Sequence, residues 1–110
     1  MENTKATNNF TKKDAINSRN SFALQDLDDT TILTVIKAAI VQRPDLETGE
    51  DKEVSILVTN DGEVYSAISA TVCETMCDII DLLEEEGTLA IRLNKRKSKA
   101  GREFLSLTIL

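Results

Sequence analysis

The chain has 110 residues, with 13 Lys and Arg against 19 Asp and Glu, so its formal net charge is −6. A chain of this length most economically forms one domain, and an apolar content of 41% excludes wholesale disorder. Because the sequence contains no His, catalysis by His and metal sites with His ligands are excluded. We therefore expect neither an enzyme nor a bound cofactor or metal.

Membrane and secretion signals are missing from the sequence as well. It has no run of about 18 apolar residues that could span a bilayer, and residues 1–10 lack the apolar region of a signal peptide. We expect a cytoplasmic protein without a membrane partner. In a reducing compartment Cys73 and Cys77 should be thiols, and without further Cys or His ligands they are predicted to be small core residues.

Residues 1–20 are predicted to form a flexible N-terminal arm. They are rich in Asn and Thr, and Phe10 and Ile16 are their only large apolar side chains after Met1. Such a segment buries too little apolar surface to offset the entropy lost on ordering. The folded domain is therefore predicted over residues 21–110, with residues 21–27 docking as a short extended piece.

The first long strand is predicted over residues 30–41, which are dense in Thr, Ile and Val. A buried helix stays open as an alternative, because Ile32, Ile36 and Ile40 recur at four-residue spacing. Residues 43–51 follow as a loop that contains Pro44 and Gly49.

A β-hairpin is predicted next. Apolar residues alternate along residues 53–59, and the alternation resumes over residues 63–69. A three-residue loop with Gly62 in the left-handed conformation fits this spacing. The register predicts a core-facing set that consists of Val54, Ile56, Val58, Val64 and Ile68. Leu57 and Tyr65 are then paired on the opposite side, away from the core.

Residues 69–86 are predicted to form a helix, with Ser69 or Thr71 as its N-cap and Gly87 at its end. Its apolar stripe consists of Val72, Met76, Ile79, Ile80 and Leu83. Alternation of apolar residues predicts two more strands, over residues 88–95 and 102–110.

The predicted order is three strands, one helix and two strands. Without crossover helices the sheet should be mainly antiparallel. A helix between the third and fourth of five strands is the order of an OB-fold, a small, partly open Greek-key barrel. We therefore predict an all-β, OB-fold-like antiparallel barrel with one helix, although other five-stranded barrels share the strand count.

Positive charge is concentrated near the C-terminus. Residues 88–110 contain six cations and one anion, whereas residues 1–87 contain 7 cations and 18 anions. The basic run lies in the predicted loop between the fourth and fifth strands, which OB-folds use to bind oligonucleotides, although a solvated loop would look the same. Cations neutralise phosphates and aromatic rings stack on bases. The candidate DNA-binding residues are Tyr65, Phe104, Arg92, Lys95, Arg96, Lys97, Lys99 and Arg102.

The sequence also resembles a known family. Residues 61–72 (DGEVYSAISATV), Glu74, residues 80–82, residues 98–101 and residues 104–107 are similar in order and spacing to single-stranded-DNA-binding proteins of small protein-primed tailed phages of Gram-positive bacteria. The resemblance implies a non-enzymatic early protein that coats and protects displaced strands during phage DNA replication, largely without sequence preference, in the cytoplasm of the bacterial host. It leaves self-association and contacts with replication proteins open.

Tyrosines stack on bases in that family, and Tyr65 lies at a matching position. Phe22 and Phe104 would have to supply further stacking. An alternative function is a protein–protein interaction module, such as a phage or plasmid regulator or an acidic DNA mimic. Its active surface would be the acidic face of the helix, formed by Glu74, Asp78, Asp81, Glu84 and Glu85.

Overall fold

The computed structural model describes residues 2–44 and 47–110. The elements in chain order are β1 (Glu2–Ala6), α1 (Lys12–Asn17), β2 (Phe22–Ala23), β3 (Ile32–Pro44), β4 (Asp51–Thr59), β5 (Val64–Ala67), α2 (Ala70–Glu86), β6 (Leu89–Lys97) and β7 (Glu103–Ile109). Short 3-10 turns at Ser18–Asn20 and Leu24–Asp26 flank β2.

The predicted order of strands and helix is confirmed for β3 to β7 with α2. The segment predicted as a strand over residues 30–41 is a strand and not a helix, but it begins at Ile32 and continues to Pro44, so the loop predicted from residue 43 begins later. Residues 45 and 46 of that loop lie outside the described residues. The two C-terminal strands agree with their predicted positions to within two residues.

The strands form one curled sheet in the order β2-β5-β4-β3-β6-β7, with β1 paired to β3. The long strand β3 is central because it pairs with β4 along one edge, while β6 and β1 share the other edge. All pairs are antiparallel except the short pair of β2 with β5. The structure thus has α2 and five main strands as predicted, and β2 lies in residues 21–27, which were predicted to dock as an extended piece. The helix α1 and the strand β1 were not predicted.

The main core lies between α2 and one face of the sheet. All five residues of the predicted helix stripe are buried there, together with Leu57, Ile91 and Leu93. Removing such side chains from water stabilises the fold by about 1.5–3 kcal/mol each. The Ser69 side chain accepts the backbone N–H of Val72 at the start of α2, and Gly87 ends the helix with a φ of 81°.

The hairpin register is confirmed, but the predicted orientation of its two faces is wrong. Val58 pairs with Val64 and Ile56 with Ser66, and Gly62 has a φ of 87°. Leu57 and Tyr65 nevertheless face the main core under α2. The other face forms a second core, which contains Val54, Ile56, Val58 and Phe10. Ile68, predicted to face the core, lies beyond the end of β5 and is exposed.

The N-terminal segment packs on that second face. Phe10 is 8% exposed and covers Val54, Ile56 and Val58, while β1 pairs with β3. Lys5 forms a 2.9 Å ion pair with Asp81 of α2. The mobility of residues 1–20 and the domain boundary at residue 20 stay predictions. Substitution of Phe10 can test them, because this ring is a buried contact of the segment. No helix among the described residues is long and apolar enough to cross a membrane.

Candidate nucleic-acid interface

The β6–β7 hairpin places its charged and aromatic side chains on two faces. Arg96 is paired with Phe104 and Arg92 with Thr108 on one face, while Leu93, Leu105 and Leu107 point toward the main core. The predicted outward orientation of Arg92 and Phe104 is thus found in the structure. Lys95 and Lys97 follow Leu93 on the core-facing side, where they extend past the end of the core.

The cations at the tip of the hairpin are available to a ligand. Arg96, Lys97, Lys99 and Arg102 are exposed. None of them lies within 4.0 Å of a carboxylate in the described part of the chain. Gly101, with a φ of 82°, and Ser98 form the turn, in which Gly101 N–H donates to Ser98 O over 2.9 Å. These cations therefore have no ion-pair partner among the described residues, and they lie on a closed turn.

Two of the cations are held by polar contacts nearer the sheet. Arg92 Nε donates to Asn94 Oδ1 over 3.1 Å, and Asn94 Nδ2 donates to Thr108 Oγ1 over 2.7 Å. The backbone N–H of Lys95 donates to Asp29 Oδ1 over 2.8 Å. These bonds leave the Arg92 terminal amino groups and the Lys95 ammonium free to bind a ligand.

A cleft runs along the open seam of the sheet, where the edge of β7 faces β5 and the turn after β2. It has a volume of about 490 Å³ and continues into a smaller cleft of about 210 Å³. The lining residues are Ala23, Gln25, Ser66, Ala67, Ile68, Ser69, Lys95, Glu103, Phe104 and Leu105. Phe104 lines both parts, and Lys95 lies in the smaller one. The cleft therefore joins an aromatic ring to the base of the cationic hairpin.

Tyr65 belongs to a separate aromatic pair beside the cleft. Its ring centroid is 5.9 Å from that of Phe22, and the planes are tilted by 41°. The parallel pairing of β2 with β5 sets Phe22 opposite Tyr65. Phe22 is exposed by 59%, whereas Tyr65 is half-buried against the main core. Burial, followed by the negative charges of Glu63 and Asp61, raises the pKa of the Tyr65 hydroxyl.

The structure thus brings together only some of the predicted site residues. Phe104 and Lys95 share the cleft, and Arg96, Lys97, Lys99 and Arg102 extend from it along the hairpin. Tyr65 does not line the cleft among the described residues, but its neighbours Ser66 and Ala67 do. Arg92 lies on the outer face of β6, opposite Ile32 of β3.

Several cleft residues were not predicted. Gln25, Ser66 and Glu103 line the cleft because β5 and β7, which are distant in sequence, meet at the seam. The periodicity of apolar residues within one segment does not indicate that two distant strands approach each other. Glu103 contributes a carboxylate, so the cleft itself favours neutral groups with N–H donors over phosphates.

The acidic face of α2 is partly occupied by the chain itself. Asp81 pairs with Lys5, and Glu84 accepts hydrogen bonds from the backbone and side-chain amides of Asn8. The two cysteines on this helix are not core residues as predicted, because Cys77 is exposed and Cys73 is half-buried. Burial and the Glu53 carboxylate, to which Cys73 Sγ donates over 3.1 Å, raise the pKa of the Cys73 thiol to about 11.

The position of Tyr65 predicts a combined effect on binding and on stability. Tyr65→Ala should lower the free energy of unfolding by about 1–2 kcal/mol, because the ring is half-buried against the core. It should also weaken single-strand binding, since a stacked base contributes about 1–3 kcal/mol. Tyr65→Phe keeps the ring and should preserve both. Urea unfolding and titration with oligo-dT measure the two effects, and equal binding by all three proteins would exclude Tyr65 from the interface.

Comparison with known proteins finds one family and several relatives that match most of the chain. Residues 3–110 match the family described as phage single-stranded DNA-binding protein. The chain is 37% identical over 101 residues to a single-stranded DNA-binding protein of Bacillus phage B103, covering 86% of this chain and 83% of that relative. Proteins of the same name from Bacillus phages PZA and phi29 are each 32% identical over 91 residues, covering 79% of this chain and 73% of theirs. No solved structure matches the chain.

Proposed function

Because the chain belongs to the phage single-stranded DNA-binding protein family, we propose that it binds single-stranded DNA and coats and protects strands displaced during phage DNA replication. The family match over residues 3–110 carries this proposal. The protein would act without catalysis, in the cytoplasm of the bacterial host, and largely independently of base sequence. Self-association along the strand fits a coating role.

The fold supports this assignment. The pairing of β5 with β4, β4 with β3, β3 with β6 and β6 with β7, with α2 between β5 and β6, is compatible with the strand connectivity of an OB-type barrel. The curled sheet is open between β5 and β7, which is where the cleft lies. OB-folds bind oligonucleotides with the loop between their last two strands, which here is the cationic hairpin.

The chemistry of the surface assigns different parts of the nucleotide to different parts of the protein. The exposed cations at the hairpin tip suit backbone phosphates, which supply most of the sequence-independent affinity. The Phe104 ring and the apolar walls of the cleft suit a base, and the Glu103 carboxylate can accept from base N–H groups. Only an unpaired strand presents bases that can enter such a cleft, so this arrangement disfavours duplex DNA.

The rest of the molecule is acidic, as the net charge of −6 requires. Negative charge outside the hairpin repels additional DNA, and this limits non-specific binding of duplex while favouring release. A coating protein must dissociate when the complementary strand is synthesised. The uneven charge distribution fits both requirements.

The test is a titration of the protein with fluorescent oligo-dT and with duplex DNA of equal length, over a series of salt concentrations. We expect tighter binding to oligo-dT, with affinity falling as salt rises at a log–log slope near −0.7 for each phosphate contacted. Equal affinity for both DNAs, or affinity for neither, would refute the proposal.

A further inference from the structure

A second group of positive charge lies at the opposite end of β3 from the hairpin. Arg43 precedes Pro44, the last residue of β3. Its Nη2 donates to Ser18 Oγ in the turn after α1. Ser18 is fully buried, and its hydroxyl donates to Ala15 O over 2.6 Å. The guanidinium of Arg43 is therefore held against the N-terminal segment.

Among the described residues, no carboxylate compensates the charge of Arg43. Its Nε is buried and has no hydrogen-bond partner, and no carboxylate of the described residues lies within 4.0 Å of the guanidinium. Burial, and then repulsion by Arg19, lower the pKa of Arg43. A guanidinium has five N–H donors in a planar fork that matches the oxygens of a phosphate. The Nε–H is too buried for a ligand to reach, so a phosphate would be bound by the terminal amino groups, beyond the bond of Nη2 to Ser18.

Arg19 supplies the second cation. It is exposed on the turn next to Ser18, and its side chain makes no hydrogen bond or ion pair with the part of the chain that the structure describes. Two guanidinium groups that repel each other, and that pair with no carboxylate of residues 2–44 or 47–110, are stabilised together by one anion. A phosphodiester is such an anion, and it can accept from both groups at once.

We propose that Arg19 and Arg43 form a second contact for a backbone phosphate of the bound DNA. This inference rests on the proposed function and names a further part of its binding site. Ile32 pairs with Arg92, so the hairpin continues beyond one end of β3, while Arg43 lies at the other end. The two contacts are separated by up to roughly 35 Å at about 3.3 Å per residue of strand. Only an extended strand that continues beyond the seam would reach both.

The test compares Arg19→Gln with Lys13→Gln. Both residues are exposed cations of the same N-terminal segment, and both substitutions remove one positive charge without disturbing a core. Each variant and the unmodified protein are titrated with oligo-dT longer than about 16 nucleotides, the upper site size of one OB-fold, over a salt series. We expect Arg19→Gln to make the log–log slope shallower by about 0.7, and Lys13→Gln to leave it unchanged.

A second variant and a second ligand complete the test. Arg43→Gln, checked for folding by circular dichroism, should reduce the slope as Arg19→Gln does, and combining both should add little because they share one phosphate. Competition by inorganic phosphate shows whether the two arginines form a site that binds free anions but not DNA. In that case Arg19→Gln changes phosphate binding and leaves the DNA slope intact, which overturns the proposal.

The outcomes also separate this proposal from the proposed function. If the unmodified protein binds oligo-dT and Arg19→Gln has the same slope, only the second contact is wrong. If Arg19→Gln and Lys13→Gln reduce the slope equally, the effect is one of net charge, and the second contact is again wrong. If the unmodified protein does not bind oligo-dT, both proposals fail.

Discussion

Replacing Arg96, Lys97, Lys99 and Arg102 together with Gln is expected to lower the affinity for oligo-dT by about two to three orders of magnitude at about 0.1 M salt. All four side chains are exposed, and the described residues offer them no carboxylate within 4.0 Å. Each lost phosphate contact should make the log–log salt slope shallower by about 0.7. Fluorescence anisotropy of labelled oligo-dT over a salt series measures both quantities.

A matched pair of variants controls for net charge in this experiment. Lys97→Gln combined with Lys99→Gln removes two charges from the hairpin, and Lys12→Gln combined with Lys13→Gln removes two exposed charges from α1. The hairpin variant should have a slope shallower by about 1.4, while the α1 variant should match the unmodified protein. Equal changes of the salt slope in both variants would show that the hairpin cations contribute only through net charge.

Phe10→Ala is expected to lower the free energy of unfolding by about 3–5 kcal/mol. The ring is 8% exposed in the second core, where it covers Val54, Ile56 and Val58. Its loss would leave a cavity against three buried side chains and release the segment between β1 and α1. Urea unfolding followed by circular dichroism gives the change in stability.

Ile16→Ala is the control for this prediction, because Ile16 belongs to the same segment and is 53% exposed. It should change the free energy of unfolding by no more than about 0.5 kcal/mol. A similarly small change for Phe10→Ala would mean that residues 1–20 are a flexible arm, as their composition predicts. The pair of variants therefore decides whether residues 1–20 are a flexible arm, as their composition predicts, or a packed segment, as the burial of Phe10 indicates.

The main elements of the fold could be predicted because each follows from local periodicity. The stripe of α2 has the spacing of a helix, and the strands of the β6–β7 hairpin show strict alternation. The turn at Gly62 set the register of the β4–β5 hairpin. The cationic hairpin was likewise visible as a count of charges. These signals depend on neighbours in sequence and can therefore be read without the rest of the fold.

The orientation of the β4–β5 hairpin could not be predicted, because both of its faces are apolar. Alternation identifies two sets of side chains, but it does not say which set α2 covers. Leu57 and Tyr65 face α2, while Val54 and Ile56 face the N-terminal segment. Composition also gives no indication of where a single apolar ring packs, and Phe10 covers a patch of sheet in the second core.

The cleft could not be predicted for a related reason. It forms where β7 and β5 approach each other without pairing, and its walls come from Ser66 and Phe104, which are far apart in sequence. Chemical type alone identifies the candidate residues, and the structure does not bring all of them into the cleft. Phe104 and Lys95 lie in the cleft, whereas Tyr65 lies beside it with Phe22.

Photo-cross-linking of the protein to oligo-dT that carries iodouracil, with the linked residues mapped by mass spectrometry, tests most directly whether DNA lies in the open seam. We expect cross-links at Phe104 and along residues 95–103, with weaker ones at Phe22 or Tyr65. Cross-links restricted to the acidic face of α2, with none between residues 95 and 105, would contradict the placement of DNA in the seam.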